Sequence, residues 1–148
     1  MNTDEVRIIE TGRYMELVPL FRESGLEIHI EGDAPPAMIT CWRAEDATGA
    51  LLGGISIEHK GGEFVIGDIA VREESRKHKI GALMLKTAME RIADMEGERI
   101  YLVAKAPKFF EKFGFTYLTP EETPNIFNCK TCDQLNVSCH PEFMTYHY

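Results

Sequence analysis

Long hydrophobic segments are missing from this sequence. None of its apolar runs approaches the roughly 20 residues that a membrane-spanning helix needs. The first five residues are polar or acidic apart from Met1, so they do not resemble a secretory signal. We therefore expect a cytoplasmic protein without a membrane partner. Repeats, low-complexity tracts and interior linkers are also missing, which predicts a single domain over residues 1–148.

Positive charge is scarce overall but concentrated at one place. The chain has 16 Lys and Arg residues against 24 Asp and Glu, a net charge of −8, and this balance excludes a general nucleic-acid-binding surface. Residues 76–79 nevertheless read Arg-Lys-His-Lys, between a strand-like run at 64–71 and an amphipathic helix that continues to about Met95. The first N–H groups of a helix lack internal partners, and the helix dipole adds partial positive charge there. The basic run therefore predicts a site for a small anionic ligand such as a pyrophosphate.

The order of predicted elements is that of an α/β protein with a mixed sheet. Short glycine-containing turns separate three consecutive strands, at 37–44, 50–59 and 63–71, which indicates antiparallel hairpins. A helix over 80–95 with one apolar face leads to a buried strand at 100–103, so this strand–helix–strand unit should be a right-handed parallel crossover. The remaining predicted elements are strands at 6–9, 115–118 and 142–147, helices at 14–21 and 108–113, and a long loop at 119–140.

Two sequence blocks resemble the signatures of the GNAT superfamily of acyl-CoA-dependent N-acyltransferases. In the first, residues 76–81, the family has Arg/Gln-x-x-Gly-x-Gly/Ala; Arg76 and Gly81 match this pattern, whereas Lys79 replaces the middle glycine. The second block, Phe-Phe-Glu-Lys-Phe-Gly-Phe at 109–115, is similar to the family's Phe-Tyr-Glu-Lys-x-Gly-Phe. The blocks occur in the family's order and at its usual separation, and the likeness extends over about residues 6–146.

The resemblance implies both a fold and a reaction. The fold would be α/β (α+β), with a mixed, mostly antiparallel sheet of about six to seven strands flanked by three to four helices. The reaction would be direct transfer of the acetyl group of acetyl-CoA to a primary amine. Phe110 stands where the family often has a tyrosine that protonates the leaving thiolate, and a phenyl ring cannot donate a proton. The residues that the resemblance assigns to acetyl-CoA binding are Ile69, Ala70, Val71, Arg76, Lys77, Lys79, Ile80, Gly81, Ala82, Phe109 and Phe110.

Asp68 is the first candidate for a general base. It lies within an apolar strand, where an unpaired carboxylate is costly, so we expect it to be paired, exposed in a cleft or raised in pKa. A general base, an ion pair and a helix cap all remain open for it. Strand alternation places Asp68 on the face opposite Ile69 and Val71, whose main-chain N–H groups the resemblance assigns to the pantetheine arm. Glu58, near the end of the preceding strand, is a rival base, although its position predicts a surface residue.

The late cysteines have three alternative interpretations. Cys129-x2-Cys132 has the spacing of a metal knuckle and Cys139 is a third potential ligand, which suits a structural zinc. A redox-active pair and free thiols are the other two interpretations. The fourth zinc ligand is open among His140, Asp133, His147 and Cys41.

A narrower resemblance concerns the amine acceptor. The doubled phenylalanine, the cysteine cluster and the following Glu142-x-Met144 are similar to short N-acetylglutamate-synthase-like acetyltransferases. This likeness implies an amino-acid acceptor, whose carboxylates would meet a cation, with Arg13, Arg22 and Arg43 as candidates. A non-catalytic acyl-CoA sensor, a protein N-acetyltransferase and a docking module built on the cysteine loop are the alternatives. The sequence also leaves open whether the chain forms a homodimer.

Overall fold

The computed structural model describes residues 6–26, 28, 30, 32–124, 126 and 142–148, and for residues 76–78 the backbone alone. The described residues form one sheet with helices on both of its faces. The strands are β1 (Arg7–Glu10), β2 (Met38–Glu45), β3 (Leu51–Lys60), β4 (Glu63–Val71), β5 (Arg99–Ala104), β6 (Thr116–Leu118) and β7 (Glu142–His147). The helices are α1 (Val18–Glu23), α2 (Ile80–Asp94) and α3 (Pro107–Glu111), with 3-10 turns at Tyr14–Glu16 and Glu73–His78.

The sheet has seven strands in the order β1-β2-β3-β4-β5-β7-β6. Every neighbouring pair is antiparallel except β4 and β5, which are parallel and joined through α2. The predicted mixed, mostly antiparallel sheet is therefore confirmed, and so is the parallel crossover. Three α-helices among the described residues agree with the predicted three to four.

Helix α2 is held by the apolar face that its sequence predicts. Met84, Leu85, Ala88 and Ile92 are fully buried in the larger core, between the helix and the sheet. Each large apolar side chain buried in this way stabilises the fold by roughly 1.5–3 kcal/mol. The packing holds α2 against β3 and β4 and fixes its N-terminus beside the C-terminal end of β4.

Helix α1 covers the opposite face of the sheet and is shorter than predicted. The segment 14–21 begins with a 3-10 turn at Tyr14–Glu16, and regular α-helix starts only at Val18, with Pro19 in its first turn. A proline has no N–H to donate and a fixed φ, so it suits the start of a helix better than its interior. Tyr14 belongs to the second, smaller core, which packs between α1 and residues such as Ala70 of β4.

Strands β4 and β5 pair only at their beginnings. The parallel register comprises Phe64 with Ile100 and Val65 with Tyr101. Beyond these pairs β5 continues with β7 as its partner and the two parallel strands diverge. The divergence opens the sheet between the C-terminal ends of β4 and β5, next to the start of α2.

A β-bulge interrupts β4 immediately before the strands diverge. Ser56 of β3 faces two residues of β4, Gly67 and Asp68, because the register of the two strands shifts there. The extra residue changes the alternation, so that Ile66 and Ile69 both lie on the α2 side while Asp68 turns toward the α1 side. A Cβ at residue 67 would lie only 2.8 Å from Ser56 Oγ, which explains the glycine. The bulge thus turns the Asp68 carboxylate away from the larger core, toward Tyr14 on the α1 side.

Within the described residues, no helix is both long enough and apolar enough to cross a bilayer.

Candidate active site

A cavity of about 640 Å³ occupies the gap between the diverging ends of β4 and β5. One wall is β4 from residue 66 to residue 71, and another is formed by the start of α2 together with α3. On the α1 side the wall continues through Ser24 and Leu26, which follow that helix. The cavity therefore reaches from the α2 N-terminus through the sheet to the end of α1.

Most of the residues that the resemblance assigns to acetyl-CoA line this cavity. The side chain of Ile80 does not, because it is fully buried in the core beneath α2. The side chains of Arg76 and Lys77 lie outside the described part of the chain. The assigned residues that line the cavity are Ile69, Ala70, Val71, Lys79, Gly81, Ala82, Phe109 and Phe110.

Lys79 forms the junction between the 3-10 turn and α2 in a left-handed conformation. Its φ is 57° and its ψ is 26°, values that glycine adopts freely and that cost an L-residue roughly 1–2 kcal/mol. The basic run was predicted to open the helix directly. It instead forms a 3-10 turn, and the chain reverses at Lys79 before α2 begins. The first N–H groups of α2 come immediately after this reversal, where a helix has no internal acceptors for them. Their partial positive charge faces the same end of the cavity as the Lys79 side chain.

Gly81 permits close packing between the start of α2 and α3. A Cβ at this position would lie 3.3 Å from Phe109 Cζ and 3.6 Å from Val71 Cγ2. Phe109 stacks edge-on against Phe110, which is 4% exposed and part of the core. No hydroxyl is present at residue 110, so this position presents only a hydrocarbon ring to the cavity.

The backbone of β4 presents hydrogen-bond donors to the gap. The N–H of Arg72 donates to the Leu52 carbonyl of β3 at 2.8 Å. Because successive N–H groups along a strand point to opposite sides, those of Ile69 and Val71 point away from β3, toward the side where β5 diverges. This is the orientation that the resemblance requires of groups that hold the pantetheine arm.

Asp68 is held by hydrogen bonds at the α1 side of the cavity. Tyr14 Oη donates to Asp68 Oδ2 at 2.7 Å, Ser56 Oγ lies 3.4 Å from the same oxygen, and the Asp68 N–H donates to Ser56 Oγ at 3.0 Å. Burial raises the pKa of Asp68, while the hydrogen bonds from Tyr14 and Ser56 and the nearby charge of Lys60 oppose the rise. Within the described residues Asp68 has no ion-pair partner, so the ion-pair interpretation is not supported. Asp68 lines the cavity, which agrees with the expectation that its carboxylate faces a cleft.

Glu58, expected at the surface, is instead buried on the same face. It is 7% exposed, and its Oε1 lies 3.3 Å from Lys60 Nζ. Alternation along β3 places Glu58 on the same face as Ser56, and the bulge in β4 turns the side chain of Asp68 to that face as well. Glu58 does not line the cavity and is neutralised by its lysine, so Asp68 is the better placed carboxylate.

The arginines considered for an acceptor carboxylate are occupied elsewhere. Arg43 pairs with Glu16 at 3.1 Å, Arg13 lies 3.9 Å from the same carboxylate, and Arg22 donates to the carbonyl of Ile28. None of the three lines the cavity. Four cavity or neighbouring side chains were missed by sequence reasoning, since only the fold brings them to the site: Tyr14, Ser24, Ser56 and Lys105.

The predicted zinc ligands Cys129, Cys132 and Cys139 lie outside the described residues. Of the alternatives for a fourth ligand, Cys41 is fully buried in the α1-side core, and burial raises its thiol pKa to about 11. Where the chain is described, no three His, Cys, Asp or Glu residues come together in a group that could hold a metal. The zinc site stays a prediction.

The fold is that of the acyl-CoA-dependent N-acyltransferases. The model of the acetyltransferase (GNAT) domain matches residues 38–117, more than half of the 148-residue chain, so the chain belongs to the GNAT acetyltransferase family. No curated protein sequence matches it. The matched segment contains β2 to α3 and therefore most of the cavity wall.

Solved structures share the fold at low sequence identity. A GNAT acetyltransferase from Staphylococcus aureus Mu50 is 18% identical, with a TM-score of 0.74 over 96% of this chain and 98% of that one. An acetyltransferase from Streptococcus agalactiae 2603 is 16% identical, with a TM-score of 0.71 over 97% of this chain and 99% of that one. N-acetylglutamate synthase from Neisseria gonorrhoeae, complexed with coenzyme A and N-acetylglutamate, is 16% identical, with a TM-score of 0.72 over 96% of this chain but only 35% of that one.

Proposed function

We propose that this chain transfers the acetyl group of acetyl-CoA directly to a primary amine of a small molecule, within a ternary complex. The observation that supports this most strongly is the cavity between β4 and β5. It has anion-binding groups at its α2 end and a buried, hydrogen-bonded carboxylate, Asp68, on its α1 side. A thioester entering from one side and an amine entering from the other would meet in the gap of the sheet.

The α2 end suits the diphosphate of the thioester. Helix N-terminal N–H groups and a lysine side chain are the groups that bind phosphates in proteins. Lys79 and the backbone from Ile80 to Ala82 would contact the diphosphate, together with Arg76 and Lys77 of the preceding turn. The pantetheine arm would run along the cavity beside Phe109, where the N–H groups of Ile69 and Val71 would hold and orient it.

Asp68 would act as the general base. A base works best with a pKa near the working pH, and burial moves that of Asp68 upward from the ordinary value of an aspartate. As the amine nitrogen bonds to the thioester carbon, one proton passes from the amine to Asp68 and the C–S bond then breaks. Phe110 offers no proton to the leaving sulfur, but a thiol with a pKa near 8.5 is a tolerable leaving group without an acid.

A small acceptor is favoured by the room that remains. The cavity of about 640 Å³ must hold the acetyl group and part of the pantetheine as well as the acceptor. The Neisseria synthase with the same fold was crystallised with an acetylated amino acid, which supports an acceptor of that size. A protein tail or a non-catalytic sensor role would be the alternatives.

Two assays together test the proposal. Calorimetry with coenzyme A measures binding, and thiol release from acetyl-CoA in the presence of a panel of small primary amines measures transfer. We expect binding, and thiol release with at least one amine above the rate without amine. Tight binding of coenzyme A with no release on any amine or lysine-containing peptide would instead indicate a sensor, and release only with peptides would indicate a protein acetyltransferase.

A further inference from the structure

A lysine bridges the two sides of the cavity near α1. Lys105 follows β5 directly and lines the cavity, and its Nζ donates a hydrogen bond to the carbonyl of Gly25. Gly25 ends α1 with a φ of 88°, and its neighbours Ser24 and Leu26 both line the cavity. Lys105 is an exposed residue, and this hydrogen bond places its ammonium between the β5–α3 loop and the end of α1, at the side of the cavity that the acceptor would enter.

The charges that line the cavity divide into two sets. In the described part of the chain they are three lysines, Lys79, Lys105 and Lys112, and one carboxylate, Asp68. Lys79 and Lys112 belong to the α2 and α3 side, where the phosphates of the thioester would lie. Lys105 alone contacts the α1 segment, and the same segment of chain supplies Tyr14, the hydrogen-bond donor to Asp68.

The Lys105 ammonium has hydrogen-bond donors that its contact with α1 does not use. It has three donors, and the Gly25 carbonyl uses one of them. In the described residues no carboxylate lies within ion-pair distance of Lys105, although the chain carries a net charge of −8. The three arginines considered for this purpose are all engaged outside the cavity. A cation kept free of acidic partners beside a cavity in an acidic protein favours an anionic ligand group.

We propose that Lys105 binds a carboxylate of the acceptor, so that the acceptor is an amine bearing its own carboxylate, such as an amino acid. The amine would then lie toward Asp68 and the carboxylate toward Lys105, and each charged group of the acceptor meets the opposite charge. This inference rests on the proposed function, because it names the class of acceptor for the same site.

The test compares Lys105→Met with wild type on matched acceptors. Each amino acid is paired with the corresponding amine that lacks any carboxylate, and kcat and KM are measured by thiol release. Lys86→Met is the matched control, since Lys86 is an exposed residue of α2 that does not line this cavity. Lys105→Arg keeps the charge, and calorimetry with coenzyme A monitors the cofactor side in every variant.

We expect wild type to favour the amino acids at least tenfold in kcat/KM over their carboxylate-free partners. Lys105→Met should raise KM for the amino acids at least tenfold, leave the affinity for coenzyme A and the rates with carboxylate-free amines unchanged, and be partly rescued by Lys105→Arg. Equal use of both kinds of amine by wild type, or an equal loss on both in Lys105→Met, would overturn this inference alone. If coenzyme A binds but neither kind of amine stimulates thiol release, the proposed function is overturned and this inference with it.

Discussion

Replacing Tyr14 with phenylalanine should move the pH dependence of the reaction without removing the activity. The substitution keeps the ring in its buried place and deletes only the hydroxyl that donates to Asp68 Oδ2. Burial raises the pKa of Asp68, and the hydrogen bond from Tyr14 is the largest influence that lowers it. Without that bond the pKa of Asp68 rises further. Since the base works in its deprotonated form, the acid limb of the rate profile should move to higher pH.

The length of the bond sets the size of the effect. At 2.7 Å it is in the range of charge-assisted O–H···O⁻ bonds. Such bonds contribute about 1.5–3 kcal/mol, against about 0.5–1.5 kcal/mol when the acceptor is neutral, so the charged carboxylate loses about 1–1.5 kcal/mol more than the protonated one. Because 1.4 kcal/mol is a factor of ten, kcat/KM on the acid side of the profile should fall about five- to tenfold, with little change on the alkaline plateau.

The assay is thiol release at saturating acetyl-CoA, with kcat/KM for one amine measured across the pH range. The free amine titrates identically in every experiment, so a difference between variants belongs to the enzyme. Tyr117→Phe serves as the control because Tyr117 is 44% exposed and does not line the cavity. Superimposable profiles for wild type and Tyr14→Phe would refute the reasoning that Asp68 is the titrating base.

Three further predictions concern other parts of the chain. Gly67→Ala places a Cβ 2.8 Å from Ser56 Oγ and should lower the free energy of unfolding by about 1–3 kcal/mol. The control Gly32→Ala, whose Cβ would have no atom within 4 Å, should change it little. Equal denaturation midpoints for the two variants would contradict this prediction. Lys79→Gly relieves a left-handed φ and should raise the free energy of unfolding by up to about 1 kcal/mol while weakening coenzyme A binding in calorimetry; unchanged affinity would remove Lys79 from the diphosphate site. If Cys129, Cys132 and Cys139 bind zinc, metal analysis should find about one zinc per chain, and a chelator should lower the melting temperature, while a metal-free chain would rule the site out.

The elements that sequence predicts well are those whose stability comes from their own pattern. The apolar face of α2 repeats at the helical spacing, and the glycine turns between β2, β3 and β4 mark hairpins regardless of the rest of the chain. The start of α1 was predicted wrongly because apolar spacing alone does not distinguish a 3-10 turn from an α-helix, and Pro19 shifts the regular helix to Val18.

The site is harder to predict because long-range contacts assemble it. Tyr14 lies 54 positions before Asp68, and no local pattern indicates that its hydroxyl reaches that carboxylate. Glu58 was assigned to the surface because it lies near the end of its strand, but strands on both sides of β3 continue past it and it is buried. The bulge beside Asp68 is likewise not visible in a count of alternating residues. Gly67 was the available signal, since an isolated glycine within a strand often marks a bulge.

The effect of Asp68→Asn on transfer tests the central claim most directly. A group whose folded pKa is raised contributes stability at pH values below its unfolded pKa, and this contribution is lost as the pH rises through the folded pKa. Burial therefore works against the charged carboxylate, and Asp68→Asn removes that charge while keeping the size of the side chain and one acceptor oxygen for Tyr14, so the fold should stay intact. Thiol release, coenzyme A affinity and unfolding are measured on wild type and variant together. We predict a fall in kcat/KM of roughly 100-fold or more with unchanged coenzyme A affinity and an intact fold, whereas kcat/KM equal to that of wild type would contradict the assignment of proton transfer to this carboxylate.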